Sequence, residues 1–362
     1  MLVESKVKVG VVPSGSLGSV FAKISAEQGH QTTLYHHNPD TLDEFKRSRI
    51  SKRLPNIVLP ESIKITSDII DTVADKDVVF VAVPSEAIEE IFERIDPSVG
   101  GRTALVIGTK GLVGETNSTV SSFILGKQPG YVDQIAVMSG PNKALELAAK
   151  RETGTVIASY NPDIAERFQR WFSTPYFRIY TADDIIGVEA GGALKNIFAF
   201  GVGIAKALDA AGNSEALYIT RALAEMKRLG MALGAKSETT FDGLSGMGDL
   251  YLSCVGEGTR NSRAGEEFAK GKSVEQLLAS GELIEGLYTI KRAYALALEK
   301  GIDAPFTIGL YRVLYEGLDI QEGIQQLMGR RLTREYSGFD PRRLVGQLGM
   351  RFWHRLRGTW PF

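Results

Sequence analysis

Between residues 7 and 175 short apolar runs rich in β-branched side chains alternate with longer amphipathic stretches, and beyond Thr181 the strand-like runs stop. The runs at 7–12, 31–35, 77–83, 103–108 and 134–138 are continuous and bounded by glycine or polar residues, the pattern of strands buried on both faces. Helical spacing fills 17–28, 39–47, 86–95 and 116–125. Strands separated by helices pair in parallel through right-handed crossovers, so this order specifies a doubly wound parallel sheet. Two further runs, 155–159 and 177–180, flank a helical stretch at 162–173. From 182 onward only helical periodicity remains, at 182–210, 215–233, 261–270, 273–278, 289–299, 306–315 and 320–328. The expected division is an α/β domain over 1–185, an all-α domain over 186–332 and a tail over 333–362.

Length agrees with two domains, because 362 residues exceed what one ordinary core serves. The formal net charge of -1 gives no global electrostatic reason to expect nucleic acid as a partner. Cys254 is the single cysteine, so no intrachain disulfide can form, and a reducing, cytoplasmic setting is expected. The N-terminus runs through Glu4, Lys6 and Lys8 into the first strand without the apolar core of a leader. No apolar stretch reaches the ~20 uninterrupted residues of a bilayer span; the best candidate, 197–207, is bounded by Lys195 and contains Lys206. The tail sets Arg342, Arg343, Arg351, Arg355 and Arg357 among Leu344, Val345, Leu348, Phe352, Trp353 and Leu356. That basic amphipathic pattern suits peripheral contact with an acidic surface, or packing on its own domain or on an oligomer partner.

The first strand is followed by Pro13-Ser14-Gly15-Ser16-Leu17-Gly18 and then an apolar helix. A dinucleotide fingerprint uses three glycines: for the turn, for close approach to the pyrophosphate, and for helix-on-strand packing. Gly15 and Gly18 fit the second and third places, whereas Pro13 replaces the first glycine and removes one backbone donor. The second strand ends Tyr35-His36-His37-Asn38, without the carboxylate that would accept the adenosine ribose hydroxyls. NADP is therefore permitted beside NAD, with two imidazoles as candidate donors to a 2′-phosphate.

Histidine is absent between residues 38 and 353, so the helical domain supplies neither a histidine proton donor nor a histidine metal site. Lysine is the natural substitute. Lys110 follows the strand ending at Gly108, at the carboxyl edge of the sheet where open α/β folds bind ligands. Lys195 lies in Gly191-Gly192-Ala193-Leu194-Lys195-Asn196, among small and apolar residues that solvate an ammonium poorly and lower its pKa. Asp249, in a glycine-rich turn, could orient a lysine, and Thr259-Arg260-Asn261 opens a helix whose free N–H groups and guanidinium suit a phosphate.

These residues carry a resemblance. Over about residues 7 to 332 the chain resembles the NAD(P)-dependent glycerol-3-phosphate dehydrogenases, through Thr109–Leu112, Ser139–Pro141, Gly187–Asn196, Gly246–Leu250, Arg260 with Asn261, and Ile284-Glu285-Gly286. The resemblance implies reduction of dihydroxyacetone phosphate to sn-glycerol 3-phosphate with NAD(P)H; a helical second domain often pairs, so a homodimer is expected, and the histidine distribution points to no metal. It implies that Lys195 is the catalytic lysine, and that Lys110 and Asp249 hold the substrate and that lysine. Gly140, Asn142, Asn196, Thr259, Arg260 and Asn261 complete the implied substrate set. Ser14, Gly15, Ser16, Leu17, Gly18, His36, His37, Pro84, Ala144, Ile284 and Glu285, with Lys110 and Arg260, form the implied cofactor set. Asn142 and Lys143 depart from the hydroxyl residue and phenylalanine usual there, and Glu215 stands where a basic residue is common. Two rival readings follow: the same chemistry on a related phosphorylated or phosphonate hydroxy compound, and a non-catalytic dinucleotide sensor.

Overall fold

The computed structural model describes residues 6–332 apart from Asn56, Ala211 and Glu257, together with Glu335. The basic tail expected over 333–362 otherwise lies outside the described residues. The chain divides into two compact units, 1–320 and 321–362, and the site lies in the first.

Among the described residues ten strands form in that unit: β1 Lys8–Val12, β2 Gln31–Tyr35, β3 Lys64–Thr66, β4 Val78–Val81, β5 Ala104–Ile107, β6 Leu112–Val113, β7 Ser118–Thr119, β8 Ile135–Ser139, β9 Thr153–Ser159 and β10 Phe177–Ala182. Eight of them make one sheet in the order β10-β9-β8-β5-β4-β1-β2-β3, and β6 pairs with β7 in a small antiparallel hairpin. The chain starts at the middle, winds outward through β2 and β3, then returns to β4 and winds the other way. The reversal between β1 and β4 opens a crevice at their carboxyl ends, where ligands of such sheets bind.

The doubly wound arrangement matches the expectation with one difference: β8 and β9 are antiparallel, Ala136 opposite Ser159 and Ser139 opposite Val156. The connection over 140–152 contains only the short helix Ala144–Ala148, so the chain stays at the carboxyl end of β8 and β9 runs back from there. β3, β6 and β7 are the strands that periodicity missed, because two or three residues show no pattern, and β7 takes the start of the helix expected over 116–125, which begins at Val120.

Alternation along the strands feeds two separate cores. Val9, Val11, Phe80, Val106 and Met138 join Phe21, Ile24, Phe168 and Phe172 on one face. Val12, Val79, Val81, Leu105, Ile107 and Val137 join Ile88, Phe92, Ile95 and Ile124 on the other. Burial on both faces explains why the strands read as continuous apolar runs.

The helical part is built around Ile185–Ala207, a helix of 23 residues. Asp184 caps it, accepting from Gly187 N at 2.9 Å, and also accepts from Lys236 N and the Thr240 hydroxyl. The helix is long and apolar enough to cross a membrane by composition, yet 83% of its most apolar window is buried inside the protein. It is a core helix, wrapped by Gly212–Leu233, Asp249–Val255, Arg260–Ala269 and Glu285–Lys300.

Candidate active site

The carboxyl end of β5 and the central helix converge on one buried carboxylate. Asp249 is fully buried. It opens the helix Asp249–Val255, directly after a π-helical turn at Leu244–Gly248. Its Oδ2 accepts from Lys110 Nζ at 2.5 Å and its Oδ1 accepts from Lys195 Nζ. Lys110 Nζ also donates to the Gly140 carbonyl at 2.9 Å, which ties β5 to the loop after β8. The approach of Lys110 to the helix depends on Gly192: a Cβ there would lie 2.3 Å from Ser139 Oγ and 3.5 Å from the methylenes of Lys110.

Burial lowers the Lys195 pKa from its usual value to about 8; Asp249 pulls it back up, Lys110 pushes it down, and Glu285 adds a smaller upward pull. The amine can therefore hold or release a proton near neutral pH, as general acid–base chemistry requires. Glu285 is itself raised by burial and pulled down by Arg260, Lys195 and Lys110. Three cations thus act on one buried carboxyl: the guanidinium at the start of Arg260–Ala269 and the two lysines.

Around this carboxyl an amide network joins three segments. Asn196 Nδ2 donates to Glu285 Oε2 at 3.1 Å, Asn261 Nδ2 donates to Asn196 Oδ1 at 3.0 Å, and Gly286 N donates to Asn261 Oδ1 at 2.9 Å. Thr259 caps the helix Arg260–Ala269 by accepting from Ser262 N at 3.2 Å. That leaves the first N–H groups, of Arg260 and Asn261, without intrahelical acceptors and suited to an anion.

The residues after β1 fit a dinucleotide. Gly15 precedes the helix Ser16–Glu27 with open space above it, its nearest outside atom being Pro13 Cγ at 4.0 Å. Gly18 packs so tightly that a Cβ would sit 2.0 Å from the Pro13 carbonyl oxygen, the helix-on-strand role of the third fingerprint glycine. Ser14 N donates to Tyr35 O at 2.8 Å, holding the turn against the end of β2. Among the described residues no group of three histidine, cysteine, aspartate or glutamate side chains could hold a metal ion.

Comparison with known proteins gives this geometry a family. Residues 8–165 match the family model for the NAD-dependent glycerol-3-phosphate dehydrogenase N-terminus, and residues 184–325 match that for its C-terminus. The glycerol-3-phosphate dehydrogenase [NAD(P)+] of Teredinibacter turnerae is 41% identical over 326 residues, covering 90% of this chain and 95% of that protein. The chain belongs to the NAD-dependent glycerol-3-phosphate dehydrogenase family. The enzyme of the same name from Enterococcus faecalis is 38% identical over 90% of this chain and 96% of its own length. The crystal structure of glycerol-3-phosphate dehydrogenase from Coxiella burnetii superposes with a TM-score of 0.83 at 34% identity, over 90% of this chain and 99% of that one. The chain is accordingly an NAD(P)-dependent oxidoreductase acting on a CH–OH group.

Within this dehydrogenase the residues singled out from sequence fall into distinct situations. Lys110, Lys195 and Asp249 are in direct contact, and Gly140 meets them through its carbonyl. The side chains of Asn196 and Asn261 are engaged with protein partners, so beside the Arg260 guanidinium this helix start offers a ligand its backbone N–H groups. His36, expected as a donor to the cofactor, holds Ser14 Oγ with Nδ1 and Thr41 Oγ1 with Nε2, each at 2.8 Å, and both ring nitrogens are occupied. Burial, His37 and Lys52 lower its pKa, in that order, which leaves it neutral and structural at working pH. His37 is exposed. Leu17 and Ala144 pack partly against the first core, and Pro84 leads from β4 into the turn Ser85–Ala87.

Asn142 donates through Nδ2 to Thr155 Oγ1 at 2.9 Å while its Oδ1 is buried without a partner, and the Ser139 hydroxyl beside Gly192 is likewise buried and unpartnered. Residue patterning gave no separate signal for the Ser139 hydroxyl or for Glu189. The Glu189 carboxylate, one helical turn before Gly192, is buried and accepts from Ser121 N at 3.1 Å and from the Ser121 hydroxyl at 2.5 Å.

Proposed function

We propose that this enzyme reduces dihydroxyacetone phosphate to sn-glycerol 3-phosphate, reversibly, with NAD(P)H. The observation that carries the reading is the Lys195 amine, desolvated, bonded to buried Asp249 and set to titrate near pH 8 beside Lys110. The bound nicotinamide supplies or accepts the hydride at the substrate carbon. In the reducing direction protonated Lys195 gives its proton to the carbonyl oxygen as that oxygen gains charge, and the amine is left neutral. Lys110, fixed between Asp249 and Gly140 O, orients the substrate and stabilises the same developing charge. Arg260 and the free N–H groups of its helix hold the phosphate, so binding energy from a group that does not react places the group that does. Glu285, Asn196 and Asn261 keep the segments carrying these groups in register.

The division at residue 185 is supported by the end of β10 at Ala182 and the start of the central helix at Ile185. We also infer a cytoplasmic homodimer; the exposed Leu217, Tyr251 and Val255 of the helical part support pairing, and light scattering of the purified chain tests it. The testing experiment for the reaction is Lys195→Ala, assayed by nicotinamide absorbance and by dinucleotide titration. Turnover is expected to fall at least ~100-fold, the low end of what a general acid contributes, with dinucleotide affinity kept. A variant that keeps a substantial fraction of its turnover removes Lys195 from the chemistry. One observation favours a second substrate: the unpartnered Asn142 Oδ1 is a buried acceptor waiting for a donor. A panel of phosphorylated and phosphonate hydroxy ketones, ranked by kcat/KM, decides between the two.

A further inference from the structure

The loop over 49–53 lies across the dinucleotide turn and is pinned on both sides of it. Ser51 Oγ donates to the Ser14 carbonyl at 3.3 Å, and the Ser16 hydroxyl donates to the Arg53 carbonyl at 3.4 Å. Arg49 sets the loop itself, its guanidinium donating to the carbonyls of Pro60, Glu61 and Ile63. Lys52 and Arg53 are different. Both are exposed, and among the described residues neither side chain has an ion-pair or hydrogen-bond partner. Lys52 is close enough to His36, at the end of β2, for its charge to act on that ring.

The end of β2 is where an adenosine ribose is read in this fold: a carboxylate there accepts the two ribose hydroxyls and repels a 2′-phosphate. Here the chain reads Tyr35-His36-His37-Asn38, and the first carboxylate, Asp40, comes only after Asn38 Oδ1 has capped the next turn by accepting from Asp40 N. The two imidazoles do not fill the role equally, since both nitrogens of His36 are used inside the protein. What remains at this edge is an exposed imidazole and two uncommitted cations, held in place by a loop whose backbone is fixed to the turn. A guanidinium and an ammonium of this kind match a dianionic phosphate and gain far less from a neutral ribose hydroxyl.

We propose that Lys52 and Arg53 bind the 2′-phosphate of the adenosine ribose and make NADP(H) the preferred cofactor of this chain. The proposal rests on the reading of residues 13–18 as the dinucleotide turn. Isothermal titration of the full chain with NADPH, NADH, adenosine 2′,5′-bisphosphate and 5′-AMP tests it without turnover. NADPH is expected to bind at least tenfold more tightly than NADH, and the bisphosphate at least tenfold more tightly than 5′-AMP, with both ratios shrinking as salt rises. In the double variant Lys52→Gln/Arg53→Gln both ratios are expected to fall toward one while the melting temperature holds, as suits two exposed side chains. Equal binding of NADPH and NADH by the wild type overturns the proposal, as does a double variant that keeps the wild-type ratio. Failure of both dinucleotides to bind is a different result, which overturns the dinucleotide reading beneath it.

Discussion

Asp249→Asn is the substitution that tests the lysine–carboxylate–lysine arrangement most directly, because it keeps the shape of the side chain and removes its charge. Asp249 Oδ1 is bonded to Lys195 Nζ, and Asp249 is a main reason that the amine retains its proton as far as pH 8. Two unit charges centred about 4 Å apart interact by about 4 kcal/mol at an effective dielectric near 20. At 1.36 kcal/mol per pKa unit that is roughly 3 units. The titration of Lys195 should move from about 8 to near 5, and further in the same direction because Lys110 also loses its counter-ion. At pH 7 the protonated fraction then drops from about nine tenths to about one hundredth, and carbonyl reduction slows about 100-fold. The sign is opposite for alcohol oxidation, which needs the neutral amine: its rate at pH 7 should hold or rise. The assay is the pH–rate profile of kcat in both directions from pH 5 to 9.5, with the melting temperature of each preparation as a check that the variant is folded. Lys195 can shed its proton, so the variant avoids the full penalty of an unpaired buried charge at that amine. A descending limb that stays near pH 8 in the variant, or equal losses in the two directions, would refute the reasoning.

Three further outcomes follow from the same geometry. Arg260→Ala removes a charge-assisted phosphate contact worth about 2 kcal/mol, so KM for the phosphorylated substrate should rise about 30-fold. An unphosphorylated hydroxy ketone should be turned over equally by both proteins, and an equal loss on both substrates would count against a phosphate role. Gly192→Ala places a methyl 2.3 Å from Ser139 Oγ and against the Lys110 stem, so kcat should drop more than tenfold; an unchanged kcat would mean that Lys110 need not sit there. Burial raises the Glu189 carboxyl to about 7 in the folded protein. A raised acid favours folding below its unfolded value of 4.5 and loses that contribution as pH climbs to 7, a span of 2.5 units or about 3 kcal/mol. Urea unfolding at pH 5 and pH 8 should show wild type losing most of that, about 2.5 kcal/mol, relative to Glu189→Gln, and a pH-independent difference would show that the carboxyl does not titrate in this range.

Much of the fold was legible because the sheet is buried on both faces. Residues 78–81 and 104–107 read as strands on their own, since every side chain in them is apolar and the flanking polar residues and glycine mark the ends. The three-residue β3 and the helices Ile69–Val73, Ala144–Ala148 and Asp249–Val255 were not legible, as none is long enough to display a period. The reversal of β9 was also hidden, because strand direction depends on where the connecting chain goes and not on strand composition.

The sequence by itself determined which chemistry is available: no histidine in the helical half, two lysines in poorly solvating surroundings, one aspartate in a glycine-rich turn and one arginine at a helix start. These are local properties of residue type and neighbours, so they can be read along the chain. Only the tertiary structure decided that Lys110 and Lys195, 85 positions apart, share the two oxygens of Asp249, and that Asn196, Asn261 and His36 spend their side chains on protein partners. The same is true of Lys52 and Arg53, which are ordinary loop cations until the loop is laid across the turn. Proximity between distant segments is set by sheet order and helix packing, and a lysine's proton affinity follows from that proximity and burial rather than from its place in the chain.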